Sequence, residues 1–401
     1  YGGSTEGVVS GDSLGVGNYA LGVLYNDDSA TDYYVIFKDN TVFTNVTGEY
    51  LDNESYSEFV IFDNKIVQMK DGSILINEET YDIFFNEDGT LKDDAPLESY
   101  DSVLLGNLTG KNMIFDLPLY ITADEDCKLV NSTISLVEGA DSFIIEGLTF
   151  EFTGDNETGS IGLIYAKDVS DVSIRNNKFI VPEFVDKAGS KYGSSIYAIE
   201  IESGANGCSE IEITGNEIEI NGSARYLYGI DVFQTWGSEN KNSNVTISDN
   251  IVTINGGSRM AEAIYASAVD DLTISDNTLT AISEGSAYGM GTDSLSNAVI
   301  SGNTINANGT GSNMVYGIAN TYSNDVAIEN NIITANGRGV VGIGVKGDTG
   351  ITIDGNTIDV TGRDYQNANT SDSIGKANAA IFNSDESEVT IGENTIIENF
   401  P

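Results

Sequence analysis

The chain has 401 residues, 40 % of them apolar, and 62 acidic against 18 basic side chains give it a formal net charge of −44. So acidic a surface repels nucleic-acid phosphate and anionic lipid, and the complete lack of histidine removes Ser-His-Asp and Cys-His catalysis together with every imidazole metal site. No apolar run approaches the roughly 20 residues of a membrane-spanning helix, so neither a nucleic-acid partner nor direct membrane insertion is expected of this segment.

Residues 1–100 carry "YYVIFKDNTVF", "SEFVIFDNKIVQM" and "SILINEETYDIFFNEDGTL", which are β-rich or mixed and lie outside the repeat that follows. Open solenoid ends expose strand edges and core, so this stretch is expected to be an N-terminal capping region. From about residue 101 to 401 a repeat takes over, first in "CKLVNSTISL" and "DSFIIEGLTFEF", then in strings such as "VTISDNIVTINGG". Apolar residues alternate on both sides of a recurring asparagine, which is strand periodicity. A further strand precedes each of these, as in "YAIEI" and "YGIDV". Three strands per coil are therefore predicted: front ("YGIDV"), middle ("VTIS") and back ("IVTI"), stacked as an all-β parallel solenoid of about ten coils. The front strands align Ile199, Ile230, Ile264, Met290, Ile318, Ile343 and Ile381 as an inward aliphatic column.

Asn177, Asn216, Asn250, Asn277, Asn303, Asn331, Asn356 and Asn394 share one column, with separations of 39, 34, 27, 26, 28, 25 and 38. Leu148 occupies that column one coil earlier. Asparagine at a corner between middle and back strands tolerates left-handed dihedrals, and its amide both donates and accepts hydrogen bonds. The column is expected to be a structural ladder rather than a ligand site. Cys127 and Cys208 are too few for a disulfide framework and fall about three coils apart, so two free thiols are expected.

Candidate site residues lie on and around the front strands. Alternation turns Ile199 and Ile201 inward, so Glu200 and Glu202 face out, and Asp231 of the next coil lies beside Glu200. Carboxylates so placed suit a retaining glycosidase pair or one calcium ion, the only cofactor considered. In so acidic a chain such neighbours also arise by chance. Arg225, Arg259, Arg338 and Arg363 fall in the turn between back and front strands, with Tyr226, Tyr228 and Tyr365 nearby and Trp236, the sole tryptophan, in the insertion "FQTWGSENKNSN". Aromatic faces and arginine forks are what sugar rings and their acidic groups require.

With these coils, the chain resembles the right-handed parallel β-helix of pectate lyase-like proteins. More narrowly, "YDIFFNEDGTLKDD", "LLGNLTGKNMIFDLPLYITADEDCKLVNSTISL" and "GADSFIIEGLTF" resemble adhesin-like surface proteins of methanogenic archaea. That resemblance implies an extracellular, cell-surface protein that attaches to a glycan or surface protein of another cell, and it transfers no catalytic motif. The first expectation is therefore a non-enzymatic, monomeric adhesin: a rigid rod presenting a binding face. The alternative is a polysaccharide lyase or glycoside hydrolase using Glu200, Glu202 and Asp231 on the front sheet. A spacer without a ligand is the third reading.

Overall fold

The computed structural model describes residues 72–153, 159–187, 193–311, 313–363, 378–385, 387–393 and 395–398, preceded by the strands Thr41–Thr44, Glu58–Phe62 and Lys65–Lys70. Three long sheets wrap a single core in a right-handed parallel β-helix. The front sheet has ten strands, from Asn112–Phe115 to Ala379–Ser384, and the back sheet has eleven, from Leu108–Thr109 to Ile396–Glu398. The middle sheet has fifteen strands. Its first three pair antiparallel, and from Ser73–Ile76 onward every pairing is parallel. The expected boundary near residue 100 falls between Ser73–Ile76 and Asp101–Leu105, which are paired with each other.

Each coil runs front, middle, back, and the coils stack in register. Ile199, Ile230, Ile264, Met290, Ile318 and Ile343 are consecutive partners and all fully buried. At the start of the core, the short helix Tyr81–Phe84 lays aromatic rings across the opening. Tyr81 stacks on Phe85 at 4.7 Å, Phe85 meets Phe115 edge-on at 5.5 Å, and Phe115 meets Phe143 at 5.4 Å. Cys127 and Cys208 are free and buried, and burial pushes their thiols up to about 12 and about 11. Among the described residues no helix is long and apolar enough to cross a membrane.

The asparagine column forms the expected ladder from Asn177 to Asn356; Asn394 lies outside the described residues. Asn250 is typical. Its backbone N–H and Nδ2 donate to Asn277 Oδ1 at 3.0 Å each, and Nδ2 also donates to Ile213 O at 2.9 Å. Leu148 N–H donates to Asn177 Oδ1, so the apolar residue in the column starts the ladder with its backbone. One expectation is corrected. The left-handed residue is not the ladder asparagine but the one before it: Asn176, Gly215, Asp249, Asp276, Gly302, Asn330 or Gly355. The preceding residue takes the tight dihedral, which leaves the ladder residue free to aim its amide along the stack.

Candidate active site on the front sheet

Strand alternation slips in the front strands from Ser160–Lys167 to Met260–Ser267. Ala198 and Ile199 are both buried, as are Gly229 with Ile230 and Ala263 with Ile264, so the outward positions around the slip are three residues apart instead of two. One outward column reads Tyr165, Glu200, Asp231, Tyr265, Gly291; the other reads Gly162, Tyr197, Tyr228, Glu262, Tyr288. The two columns interleave. A Cβ on Gly162 would stand 2.8 Å from Glu200 Oε2, and one on Gly291 would collide with Glu262 Oε1. Each glycine thus leaves room for a carboxylate from the other column.

Glu200, Asp231 and Glu262 come from three consecutive strands, spaced about 4.8 Å apart. Asp231 is 6 % exposed and Glu262 4 %. Burial, then the charge of Glu200, holds Asp231 well above the usual carboxylate range; burial, then Asp231, does the same to Glu262. Glu200 is half-buried, and burial together with Glu202 pushes it up to about 7. Asp231 Oδ1 is buried with no hydrogen-bond partner, a state that costs about 1–3 kcal/mol, more when the group is charged. Burial and neighbouring charge both favour the protonated form of each of these carboxyls. Tyrosines surround them: burial pushes Tyr265 up to about 12, and burial with the nearby carboxylates raises Tyr197 and Tyr228.

Glu202, grouped with Glu200 and Asp231 from sequence, has a different task. It takes Lys167 Nζ at 2.8 Å, Tyr165 Oη at 2.5 Å and the Thr235 hydroxyl. Despite partial burial, these bonds and the Lys167 charge hold its carboxyl below the usual range. It is a satisfied carboxylate that ties the turn after Gln234 to the sheet. Glu262 takes its place in the cluster. Its signal was present in sequence, since "EAIYA" aligns with "YAIEI" and puts Glu262 in the column of Tyr197.

Arg225 and Arg259 each precede a front strand by one residue, those carrying Asp231 and Glu262 respectively. Their guanidinium carbons lie 5.7 and 5.8 Å from the Tyr226 ring centre. Tyr228 stacks on Tyr197 at 4.8 Å with planes 3° apart, and Tyr226 lies 6.3 Å from Tyr228. One face of each of these rings is therefore taken up by packing. Arg338 and Arg363 are exposed on the same edge, two or more coils farther on, and Tyr365 lies outside the described residues. Beyond Glu262 the outer front face turns apolar, with Met314, Tyr316, Ala319 and Val341 buried together beside Tyr288 and Phe382. Among the described residues no group of three or more acidic or thiol side chains is arranged to hold a metal ion.

Neither a protein-family model nor a curated protein sequence matches the chain. Solved structures do. The A-module of a mannuronan C-5 epimerase from Azotobacter vinelandii is similar at 11 % identity and TM-score 0.30, over 74 % of this chain and 91 % of that one. A lacto-N-biosidase from Eubacterium ramulus is similar at 11 % identity and TM-score 0.44, over 80 % and 67 %. A DFA-IIIase from Arthrobacter chlorophenolicus is similar at 12 % identity and TM-score 0.36, over 77 % and 91 %. The shared feature is the pectate lyase-like parallel β-helix. These proteins are named as enzymes, whereas the first expectation from sequence was a non-enzymatic adhesin. None of them is named as an adhesin, and that expectation is corrected.

Proposed function

We propose that the protein is a glycoside hydrolase that works outside the cell and cleaves a saccharide chain over the front sheet. The observation that carries this reading is the buried, unpartnered carboxyl of Asp231 set between Glu200 and Glu262. Glycoside hydrolysis needs one carboxyl that stays protonated to give its proton to the leaving oxygen, and a second that is ionised to attack or to activate water. Asp231, held neutral by burial and by its neighbours, is the proton donor. Glu200, the most exposed of the three, is the partner. Glu262, raised by burial and then by Asp231, lies in the same buried patch. Arg225 and Arg259 offer forks to acidic groups on the saccharide.

The test is incubation with acidic and neutral polysaccharides and mucin, with and without calcium, followed by assay of new reducing ends. New ends that fall about 10³-fold in Asp231→Asn protein support the hydrolase. Ends that absorb in the ultraviolet because they carry a double bond would assign a lyase instead, and no new ends from any chain would sink both.

A further inference from the structure

Trp236 is 100 % exposed, yet the turn that carries it is among the most heavily bonded on the molecule. Thr235, its neighbour, donates to Glu202 from the hydroxyl and to Ser203 O from the backbone at 2.8 Å. Gln234 Nε2 donates to Ser238 O and Asn240 O at 2.9 Å each. The Ser238 hydroxyl and the Asn240 amide reach the previous coil at Gly204 O and Ala205 O. That segment is in turn pinned by Asp168, whose carboxylate accepts the N–H groups of Gly204, Ala205, Asn206 and Gly207 at 2.7 to 3.1 Å. These donors hold the Asp168 carboxyl below its usual range despite partial burial. An exposed indole on a turn held by this many hydrogen bonds presents a rigid, open aromatic face of the kind a sugar ring stacks on.

We infer that Trp236 is a stacking platform for a distal sugar of the chain cleaved at Asp231, with Asp168 and Glu202 as its positioning residues. The inference rests on the hydrolase reading for the identity of the ligand. Continuity with the site comes through Glu202: it bonds Thr235 beside the indole and lies two residues from Glu200 on the same outward face. Five residues separate Asp231 from Trp236, at most about 17 Å of extended chain, which leaves room for a few sugar rings between cleavage and stacking. The packed tyrosines nearer the cluster expose less of their rings, so the indole is the aromatic face most open to a pyranose. The occupant is a sugar with an apolar face and no charge there, because Glu202 and the general acidity of the rod disfavour an anion at that end.

Trp236 is the sole tryptophan, so its fluorescence reports this position alone. Full-length Asp231→Asn protein is titrated with each polysaccharide of the panel, and wild type, Trp236→Ala, Trp236→Phe and Asp168→Asn are compared on long and short fragments of any chain that is cleaved. The expected result is a saturable blue shift, and a preference for long over short chains that drops about tenfold in Trp236→Ala, falls in Asp168→Asn and is largely kept in Trp236→Phe. Cleavage by the wild type without a fluorescence change, or an unaltered chain-length preference in Trp236→Ala, overturns the inference and leaves the hydrolase reading standing. A shift with chains that are never cleaved retains the platform and removes the hydrolase. Neither shift nor cleavage across the panel overturns both.

Discussion

Two columns of buried polar side chains climb the same coils, and they are built in opposite ways. At the corner between middle and back sheets, Asn177 to Asn356 satisfy one another and the middle-strand carbonyls their amides face; Asn277, for example, gives two bonds to Asn303 and one to Ile247 O, and receives two from Asn250. On the front sheet, Glu200 and Asp231 share one outward column and Glu262 enters from the other, with one buried oxygen left unpaired. Both columns sit on strands of one register, so the fold does not require the second to be unsatisfied. The ladder amides stabilise the solenoid by being paired; the unpaired oxygen of Asp231 carries a cost, and with its carboxyl neighbours it motivates the proposed chemistry.

The strongest break in that comparison is Asp231→Asn, which should lower turnover about 10³-fold while leaving the far-ultraviolet circular dichroism of the β-helix unchanged. The reverse pattern belongs to Asn277→Ala. It leaves the Asn250 N–H and Nδ2 without their shared acceptor, at roughly 1–3 kcal/mol for each buried group, so urea unfolding should show a loss of about 3 kcal/mol or more. Activity per folded molecule should change little.

How far each column could be read from sequence follows from the range of the forces that define it. The asparagine ladder repeats, and each member meets its own kind, so spacing alone reveals it. The pairing of Glu200 with Asp231 was legible too, because register follows from aligning "YAIEI" with "YGIDV". Glu262 was passed over because the slip at Ala263–Ile264 leaves it in the other outward column, from which its carboxylate reaches across Gly291. The bonds of Glu202 were not legible, because its partners, Lys167 and Thr235, come from other coils and lie outside any motif. The left-handed residue before each ladder asparagine was misplaced by one position, since both positions favour the same residue types.

The comparison sharpens with pH. Unfolded carboxyls ionise near 4, whereas burial pushes folded Glu200 up to about 7 and holds Asp231 and Glu262 well above the usual carboxylate range. Between these values the folded chain binds more protons than the unfolded one, so this cluster makes stability fall as pH rises from about 4 through 7. Urea titrations at pH 5 and pH 8 should show that slope in the wild type and a shallower one in Asp231→Asn. The smallest effect expected is that of Gly291→Ala: the new methyl displaces the Glu262 carboxylate, and turnover should fall by about tenfold or less, with its pH optimum shifted.

The most direct test of the contrast between paired and unpaired columns is the unfolding free energy of Asp231→Asn at pH 8, measured beside the wild type. Relief of a buried, crowded carboxyl should make the variant more stable than the wild type, by about 1–3 kcal/mol, although it is inactive. A loss of stability of the size expected for Asn277→Ala would contradict this, and would place Asp231 among the side chains that hold the rod together.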